Sequence, residues 1–589
     1  MTISRAKVAA IAFALIALVL PFIPGFRDFW VTLAIYIGLF SLVVLGLVLL
    51  TGVGGMTSFG QATFVGFGAY ATGVLSVRYG VSPWLALPVS LGVTGLGALL
   101  IGAITTRLSG HYLPVGTIAW AVAFYYVFGN TYILGAHDGL SGIPPLSIGS
   151  YEFFDVRSFY VILWGFVVLA FVLSANLLES RTGRAIRMLR QGRLAAESFG
   201  VNTARIKLIV FCHAALLAGL SGWLFAHFQR SLAPSAFGLN ASIEYLLMAV
   251  VGGAGHIFGS LLGASIVTLL KDQLQDLLPW LLGRTGSFET IAFGVLLIAI
   301  LQVAPNGVLP LFRRFFPAPE KPRPAEATEL PRRDAALTSP LLELRGVSRN
   351  FGGLVAVNSV SISIDPGTVT ALIGPNGAGK STLFNLVTGI LHPSGGEILF
   401  GGQRIHGLTP RVIAARGIAR TFQHVKLAPE MSALDNVALG AHLRGQAGAL
   451  SAMLRLEREE ERRLLYDASR QLDRVGLGDH LNSHAGSLAL GQQRILEIAR
   501  ALALDPSLLL LDEPAAGLRF REKKALASLI RKVSKDGVGV LLVEHDLEFV
   551  MGLASRIIVL DFGLKIAEGL PDEIRSNPAV IEAYIGDAA

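Results

Sequence analysis

Apolar positions crowd the first half of the chain. Residues 8–22, 30–50, 83–105, 113–134, 158–178, 208–225 and 287–304 form runs that approach or exceed the ~18 apolar residues a membrane-spanning helix needs. A large soluble core supplies one or two such runs, and so many on one side of the chain predict a helical membrane domain. After residue 340 the pattern changes to short, largely apolar, β-type stretches at 369–373, 508–511 and 539–543, separated by mixed helical segments, which predicts an α/β domain. Between the two lies PAPEKPRPAEATELPRRDAALTS, rich in proline and charge and without apolar periodicity. It reads as a linker, so the chain divides into residues 1–315, a linker over 316–340, and 341–589.

The distribution of arginine and lysine sets the sidedness. Arg181, Arg184, Arg187, Arg190, Arg193, Arg205 and Lys207 make the segment between two apolar runs far more basic than any other such loop. Together with Arg5 and Lys7 at one end and Arg313 and Arg314 at the other, it is placed in the cytoplasm by the positive-inside rule. Both ends of the membrane domain then share one side, which requires an even number of crossings. A direct count gives nine segments. Residues 242–270 are interrupted by VVGGAGHIFG and are the segment to split, so eight or ten spans are expected.

Composition agrees with this division: 52% of 589 residues are hydrophobic and only 15% charged, and the mean hydropathy is +0.59. The run at 8–22 follows two basic residues, yet IPGFRDFW after it offers no small-residue cleavage pattern, so it reads as an uncleaved first span. The single cysteine, Cys212, excludes a disulfide within one chain and sits in an apolar run as an inert thiol. Small residues gather at 51–73 and 250–264. Such broken apolar segments point either to a substrate path or to close helix packing. Glu244 and His256 flank the second break and are candidates for function or for the membrane interface.

The second domain carries chemistry. GPNGAGKST follows the β-type run 369–373, so Gly374, Asn376, Gly377, Gly379 and Thr382 form a loop whose backbone N–H groups and following helix dipole suit phosphate. Lys380 is placed to reach the β- and γ-phosphates and the Ser381 hydroxyl to ligate Mg²⁺. The strand at 508–511 ends in Asp512 and Glu513, beside that loop. Asp512 suits the Mg²⁺ shell and Glu513 the polarisation of attacking water, a role contributing roughly 10²- to 10⁴-fold. The strand at 539–543 ends at Glu544, His545 and Asp546, with His545 placed to sense the γ-phosphate.

These motifs, with LALGQQRILEIARALALDPSLLLLDEP, resemble the nucleotide-binding subunit of an ABC transporter over about residues 341–586. The resemblance implies ATP and Mg²⁺ as cofactors, Phe351 stacking on adenine, and Gln423 in ARTFQ linking Mg²⁺ to the membrane subunit. It implies that Leu488, Ala489, Gly491 and Gln492 of LALGQ close over ATP held by an opposite subunit, and that residues 515–519 form the loop after the Asp512 strand. Two positions depart from the family pattern: Ala489 replaces a serine, and Arg519 stands where Asp or Asn is usual.

More narrowly, GIARTFQHVKLAPEMSALDNV and the C-terminal RIIVLDFGLKIAEGLPDEIRSNPAVIEAYIG resemble the ATPase of branched-chain amino-acid importers. TSFGQATFVGFGAYA, LSGHYLPVGTIAW, GLSGIP and RTGRAIRMLRQGRLAAESFGV resemble a permease of the same system, the last implying a cytoplasmic coupling helix. The expectation is a permease fused to an ATPase in the inner membrane, importing branched-chain amino acids or a similar small polar solute. A second permease and ATPase, or a second copy of the chain, and an external solute-binding protein are implied as partners; lipid surrounds the spans and no nucleic acid is expected. Urea, amides or aromatic carboxylates as solutes, an exporter, and an ATP-gated channel stay open.

Overall fold

The computed structural model describes residues 20–23, 25–108, 110, 112–282, 288–313, 322–333 and 339–585. The chain forms two compact units, the first from residues 1–179 and 204–320, the second from Ser180–Thr203 and Lys321–Ala589. The basic segment at 180–203 therefore belongs to the second unit, a division the apolar pattern does not reveal.

The first unit is built on α1 (Asp28–Leu47), α2 (Gln61–Tyr79), α3 (Pro83–Thr105), α4 (Tyr112–Asn130), α5 (Val156–Leu178), α6 (Thr203–Gln229), α7 (Leu239–Gly252), α8 (Ile257–Leu282) and α9 (Phe288–Val303). Six helices among the described residues are long and apolar enough to cross a membrane: Asp28–Val53, Pro83–Thr105, Tyr112–Asn130, Val156–Leu178, Thr203–Gln229 and Ile257–Gln275. Six is below the eight or ten expected. Most of the expected first span, at 8–22, lies outside the described residues; α2 is interrupted by polar side chains, and α7 is only 14 residues long.

Both glycine-rich breaks are present. The first is a π-helical turn at Val48–Val53 followed by irregular chain to Gly60, and the second falls at Gly253, whose φ of 108° suits only glycine. They touch: a Cβ on Gly52 would lie 1.6 Å from the Ala254 carbonyl oxygen. Close backbone approach of this kind recurs where Gly68 meets Gly219, which favours the packing explanation for these small residues. Glu244 is ion-paired with Lys271 at 3.0 Å. Cys212 is a free thiol, only half-buried.

In the second unit a six-stranded sheet has the order β5-β6-β7-β3-β8-β9. Its strands are β3 (Val369–Ile373), β5 (Ile418–Arg420), β6 (Leu508–Asp512), β7 (Gly539–Val543), β8 (Arg556–Asp561) and β9 (Leu564–Gly569). All neighbours are parallel except β8 and β9. β3, β6 and β7 are buried along their whole length, in keeping with their largely apolar sequences. An antiparallel sheet of β1 (Leu342–Phe351), β2 (Leu354–Ile364) and β4 (Gly395–Phe400) stands beside it. The helices are α10 (Lys380–Val387), α11 (Ala433–Gly440), α12 (Arg458–Arg474), α13 (Leu490–Ala503), α14 (Phe520–Lys535) and α15 (Leu547–Leu553). α11, α12 and α13 share one apolar core, centred on Val437, Leu464, Leu472 and Leu496.

Residues 322–333 depart from the expected linker. They belong to the second unit, and Leu330 is buried in the core of α11, α12 and α13. The lone leucine between prolines and charges gave no periodic signal, because a single anchor needs none.

Candidate functional site

The phosphate-type loop joins the carboxyl end of β3 to the start of α10. Gly374, Gly377 and Gly379 all have positive φ. At two of them space is closed as well: a Cβ on Gly374 would lie 2.0 Å from the Leu560 carbonyl oxygen, and one on Gly379 2.3 Å from that of Ala356. Lys380 is buried, and its ammonium donates to the carbonyls of Gly374 and Pro375 at 2.7 Å each. The cation is thus folded back over the loop that carries it. Ser381 is exposed, Thr382 half-buried, and Asn376 sits in the same turn.

Three residues from separate strand ends meet beside this loop. Gln423 Nε2 donates to Glu513 Oε1 at 3.0 Å, and His545 Nε2 lies 3.1 Å from the same oxygen. They are 90 and 32 positions from Glu513 in sequence. The parallel register explains the meeting: Asp512 lies beside Val543, so the residues that follow β6 and β7 emerge side by side. Glu513 adopts φ 47°, rare for a side chain of its size, and its N–H donates to the Val543 carbonyl at 2.9 Å.

Asp512 is buried, and burial pushes its carboxyl up, opposed by the Arg420 guanidinium at 3.6 Å and reinforced by Glu513. Arg420 is itself buried and its pKa is pushed down to about 10 by that burial. It is held by Asn385 Oδ1 at 3.0 Å and Thr388 Oγ1 at 2.9 Å, both at the end of α10. Sequence reasoning gave Arg420 and Glu544 no role. Glu544, buried, accepts from the Ala515 N–H at 2.6 Å and from the His545 N–H at 3.1 Å, which fixes the loop after β6 against the end of β7. Its carboxyl is pushed up by burial. The signal available was a carboxylate directly after a wholly apolar strand.

Phe351, at the turn between β1 and β2, leaves 42% of its surface open and is capped by the Arg349 guanidinium 4.7 Å from the ring centre. The LALGQ residues start α13. Ala489 occupies the N-cap and supplies no side-chain acceptor; Gln492 Oε1 accepts its N–H at 3.1 Å, and Gln492 Nε2 lies 3.0 Å from a ring nitrogen of His480. Leu488 is buried, and Gly491 faces Leu518 and Glu522. The contacts of this segment thus run to His480, to α14 and to the loop before it, whereas Gln423 and His545 converge on Glu513. Arg519 is the exposed N-cap of α14, its N–H bonded to Glu522 at 2.7 Å.

A second constellation is built by Ser180–Thr203. The short helix Arg181–Met188 is capped by Ser180, whose hydroxyl accepts from the Gly183 N–H at 3.3 Å. Arg181 donates to the carbonyls of His442, Gly445 and Ala447, each at 2.6 Å. Arg184 is 1% exposed and forms a bidentate pair with Glu461 on α12, with Asp435 of α11 at 3.8 Å. Burial opposes the Arg184 charge, but Glu461 and Asp435 outweigh it and raise the pKa further. Phe199 is fully buried under the Arg500 guanidinium, 4.3 Å from the ring centre. Arg500 pairs with Glu497 at 3.2 Å, and Glu497 accepts from the Lys426 N–H at 2.8 Å, three residues beyond Gln423. Gly200, φ 83°, presses on Leu443, which a Cβ would strike at 2.1 Å. Glu197 instead braces this segment, the foot of residues 180–203, bonded to Arg193 and Thr203 at 2.7 Å.

Comparison with known proteins matches both units. Residues 29–301 match the profile of the branched-chain amino acid transport system permease component, 357–516 that of ABC transporters, and 565–589 that of the branched-chain amino acid ATP-binding cassette transporter. The branched-chain amino acid transport ATP-binding proteins BraF of Pseudomonas aeruginosa and LivG of Escherichia coli are each 44% identical over 255 residues, 43% of this chain and 100% of theirs. The probable LivG of Archaeoglobus fulgidus is 37% identical over 246 residues, 42% of this chain and 95% of its own. The chain belongs to the branched-chain amino-acid family of ABC transporters, with a permease and an ATP-hydrolysing unit on one polypeptide of the cytoplasmic membrane.

Proposed function

We propose that this chain imports branched-chain amino acids, drawing on ATP hydrolysis at the site around Glu513. One observation carries the reading: the residues that converge on Glu513 are joined, through one continuous set of contacts, to the segment that continues into the permease. Gln423 touches Glu513, Lys426 follows it, Glu497 and Arg500 hold Lys426, and Phe199 of the foot lies beneath Arg500. A change at the γ-phosphate that moves Gln423 therefore has a packed route to the foot.

In this reading the loop from Gly374 through Asn376, Gly377 and Gly379 wraps the phosphates. Lys380 leaves its two carbonyl partners to meet the β- and γ-phosphate oxygens. Thr382 supports the same end of α10, and Ser381, Asp512 and Gln423 hold the Mg²⁺ shell. Glu513 orients the attacking water, and His545 holds the far side of the γ-phosphate. Phe351, already a platform for a guanidinium, stacks on adenine. Leu488, Ala489, Gly491 and Gln492 close over the nucleotide of a second ATPase domain, with backbone N–H groups in place of the serine hydroxyl that Ala489 lacks.

The chain therefore works with a second permease and a second ATPase, or a second copy of itself, and with a periplasmic solute-binding protein. Eight or ten crossings, the even number that the basic segments require, would be reached if some of α2, α7 and α9, and the expected span at 8–22 that lies largely outside the described residues, join the six apolar helices. The test is ATP hydrolysis by the reconstituted complex against a panel of solute-loaded binding protein. Stimulation by leucine, isoleucine or valine supports the reading, whereas stimulation by urea or an aromatic carboxylate alone overturns the solute assignment.

A further inference from the structure

Ala489, the N-cap of α13, brings no side-chain acceptor, and the first turn is closed by Gln492, whose Oε1 accepts the Ala489 N–H at 3.1 Å. On its other side the Gln492 amide meets His480, with Nε2 of each 3.0 Å apart. Two nitrogens at that distance need one lone pair between them. The bond to Ala489 fixes which way the amide faces, and an amide nitrogen only donates. His480 Nε2 is therefore the acceptor and carries no proton; the ring proton sits on Nδ1, 3.5 Å from the Ser483 hydroxyl. An imidazolium, protonated on both nitrogens, cannot fill this place. The loop that carries His480 is itself well held. Leu477 and Leu481 are buried in the core of α11, α12 and α13. The His480 N–H donates to the Leu477 carbonyl at 3.0 Å, and the carbonyls of Ser483 and Leu481 accept from Ala433 and Leu434 of α11 at 2.9 and 3.1 Å. The charged groups around the pair are Asp479, Asp473 and Arg474 at the end of α12, and Glu522 and Lys532 of α14 across the pocket that Gln492 borders. Arg474 is taken by Asp536 and Glu522 by the Arg519 N–H, while His484 faces the Glu430 carbonyl.

We propose that His480 is the positioning residue of the LALGQ segment: with Nε2 bare it holds the Gln492 amide in the orientation that caps Ala489, and protonation of the ring releases the segment. A protonated His480 presents a donor to a donor. Gln492 can then keep His480 only by turning its oxygen toward the ring, which strips the Ala489 N–H of its acceptor, or keep Ala489 and leave two N–H groups opposed. Either way the start of α13 loses a fixed geometry. The consequence for hydrolysis rests on the function proposed above, in which LALGQ closes over nucleotide, but the cap and its dependence on neutral His480 do not.

Two measurements test this. Hydrogen exchange at the Ala489 amide of the full chain in lipid nanodiscs reads the cap without nucleotide. His480→Leu and His480→Lys, which leave the Gln492 amide no acceptor, should speed that exchange by about two- to tenfold. His480→Gln, whose carbonyl oxygen can take the place of Nε2, should match the parent. Steady-state hydrolysis by the complex of this chain with a second permease, a second ATPase and loaded binding protein reads the consequence. There kcat/KM for ATP should fall by about two- to tenfold in His480→Leu and His480→Lys and be restored in His480→Gln. Lowering the pH from about 8 to about 6, the range in which histidines take up a proton, should cost the parent more than it costs His480→Gln. Gln492→Glu, whose carboxylate accepts from the Ala489 N–H and from an imidazolium alike, should also lose less than the parent over that range. If Ala489 exchanges equally in all variants, His480 does not hold the cap and the proposal is overturned. If exchange speeds up while hydrolysis and its pH profile stay those of the parent in every variant, the contact serves the fold alone and the proposal is likewise overturned. A parent complex that hydrolyses no ATP contradicts the function proposed above and leaves the exchange result standing.

Discussion

At the site around Glu513 and at the foot, a carboxylate of similar exposure meets polar or cationic partners from distant parts of the chain, yet the partner is open at the first and buried at the second. Glu513 and His545 keep 18% and 45% of their side-chain surface open. Arg184 and Glu461 keep 1% and 14%. The difference follows from what each must do. In the proposed function Gln423, Glu513 and His545 exchange one another for water, Mg²⁺ and phosphate, and their mutual bonds stay accessible and cheap to break. The foot has to hold through that exchange, and a charge buried between two carboxylates is costly to separate.

The largest effect is expected at the exposed site. Glu513→Gln keeps shape but removes the carboxylate that the proposed function assigns to the attacking water, so single-turnover hydrolysis should slow by about 10²- to 10³-fold while MgATP binding is retained. Near-parent turnover would mean that the convergence on Glu513 does not serve hydrolysis. At the foot the expected cost is in stability. Arg184→Ala leaves Glu461 buried without its partner and should lower the unfolding free energy of the second unit by about 3–5 kcal/mol, measured by denaturant titration of the full chain. Arg184→Met with Glu461→Leu should recover most of the loss, and equal stability of the single variant would show that the pair is not buried as described.

Acid should separate the two regions. His442, whose carbonyl receives Arg181, has its imidazole pKa pushed down to about 3 by burial, then by Arg181 and Arg184. The unfolded chain takes up this proton near pH 6.5 and the folded unit only near 3. Stability contributed above pH 6.5 is therefore lost as pH falls through that window, at up to about 1.4 kcal/mol per pH unit. His442→Asn should flatten the slope without altering MgATP affinity at pH 7; an unchanged slope would assign the acid sensitivity elsewhere. The smallest effect belongs to the LALGQ segment. Ala489→Ser gives α13 the N-cap acceptor it lacks and should stabilise the unit by about 1 kcal/mol, read as a rise in Tm.

Legibility divides along similar lines. Gly374, Lys380, Asp512, Glu513 and His545 stood out as candidates in the sequence because they follow apolar strands in the order that phosphate chemistry uses, and the structure brings His545 to Glu513. Gln423 and Phe351 needed a resemblance, since a lone glutamine or aromatic says nothing until the fold brings it to a site. Arg184 was visible only as one arginine among several. Its burial depends on Glu461 and Asp435, hundreds of positions away, and no local pattern marks such a partner. Leu330 was hidden for the same reason. In the membrane unit the apolar runs located five of the six long helices to within about five residues and the sixth, Ile257–Gln275, only as the second part of the interrupted segment 242–270, while α2 was too polar and α7 too short to stand out as a span.

Accumulation of radiolabelled L-leucine in proteoliposomes most directly tests the central claim that this fused chain couples ATP hydrolysis to import. The chain, a second permease and ATPase, and leucine-loaded binding protein should concentrate leucine against its gradient when ATP is supplied on the ATPase side, with Glu513→Gln abolishing it. Leucine that merely equilibrates, or accumulates equally in the Glu513→Gln complex, would contradict the account.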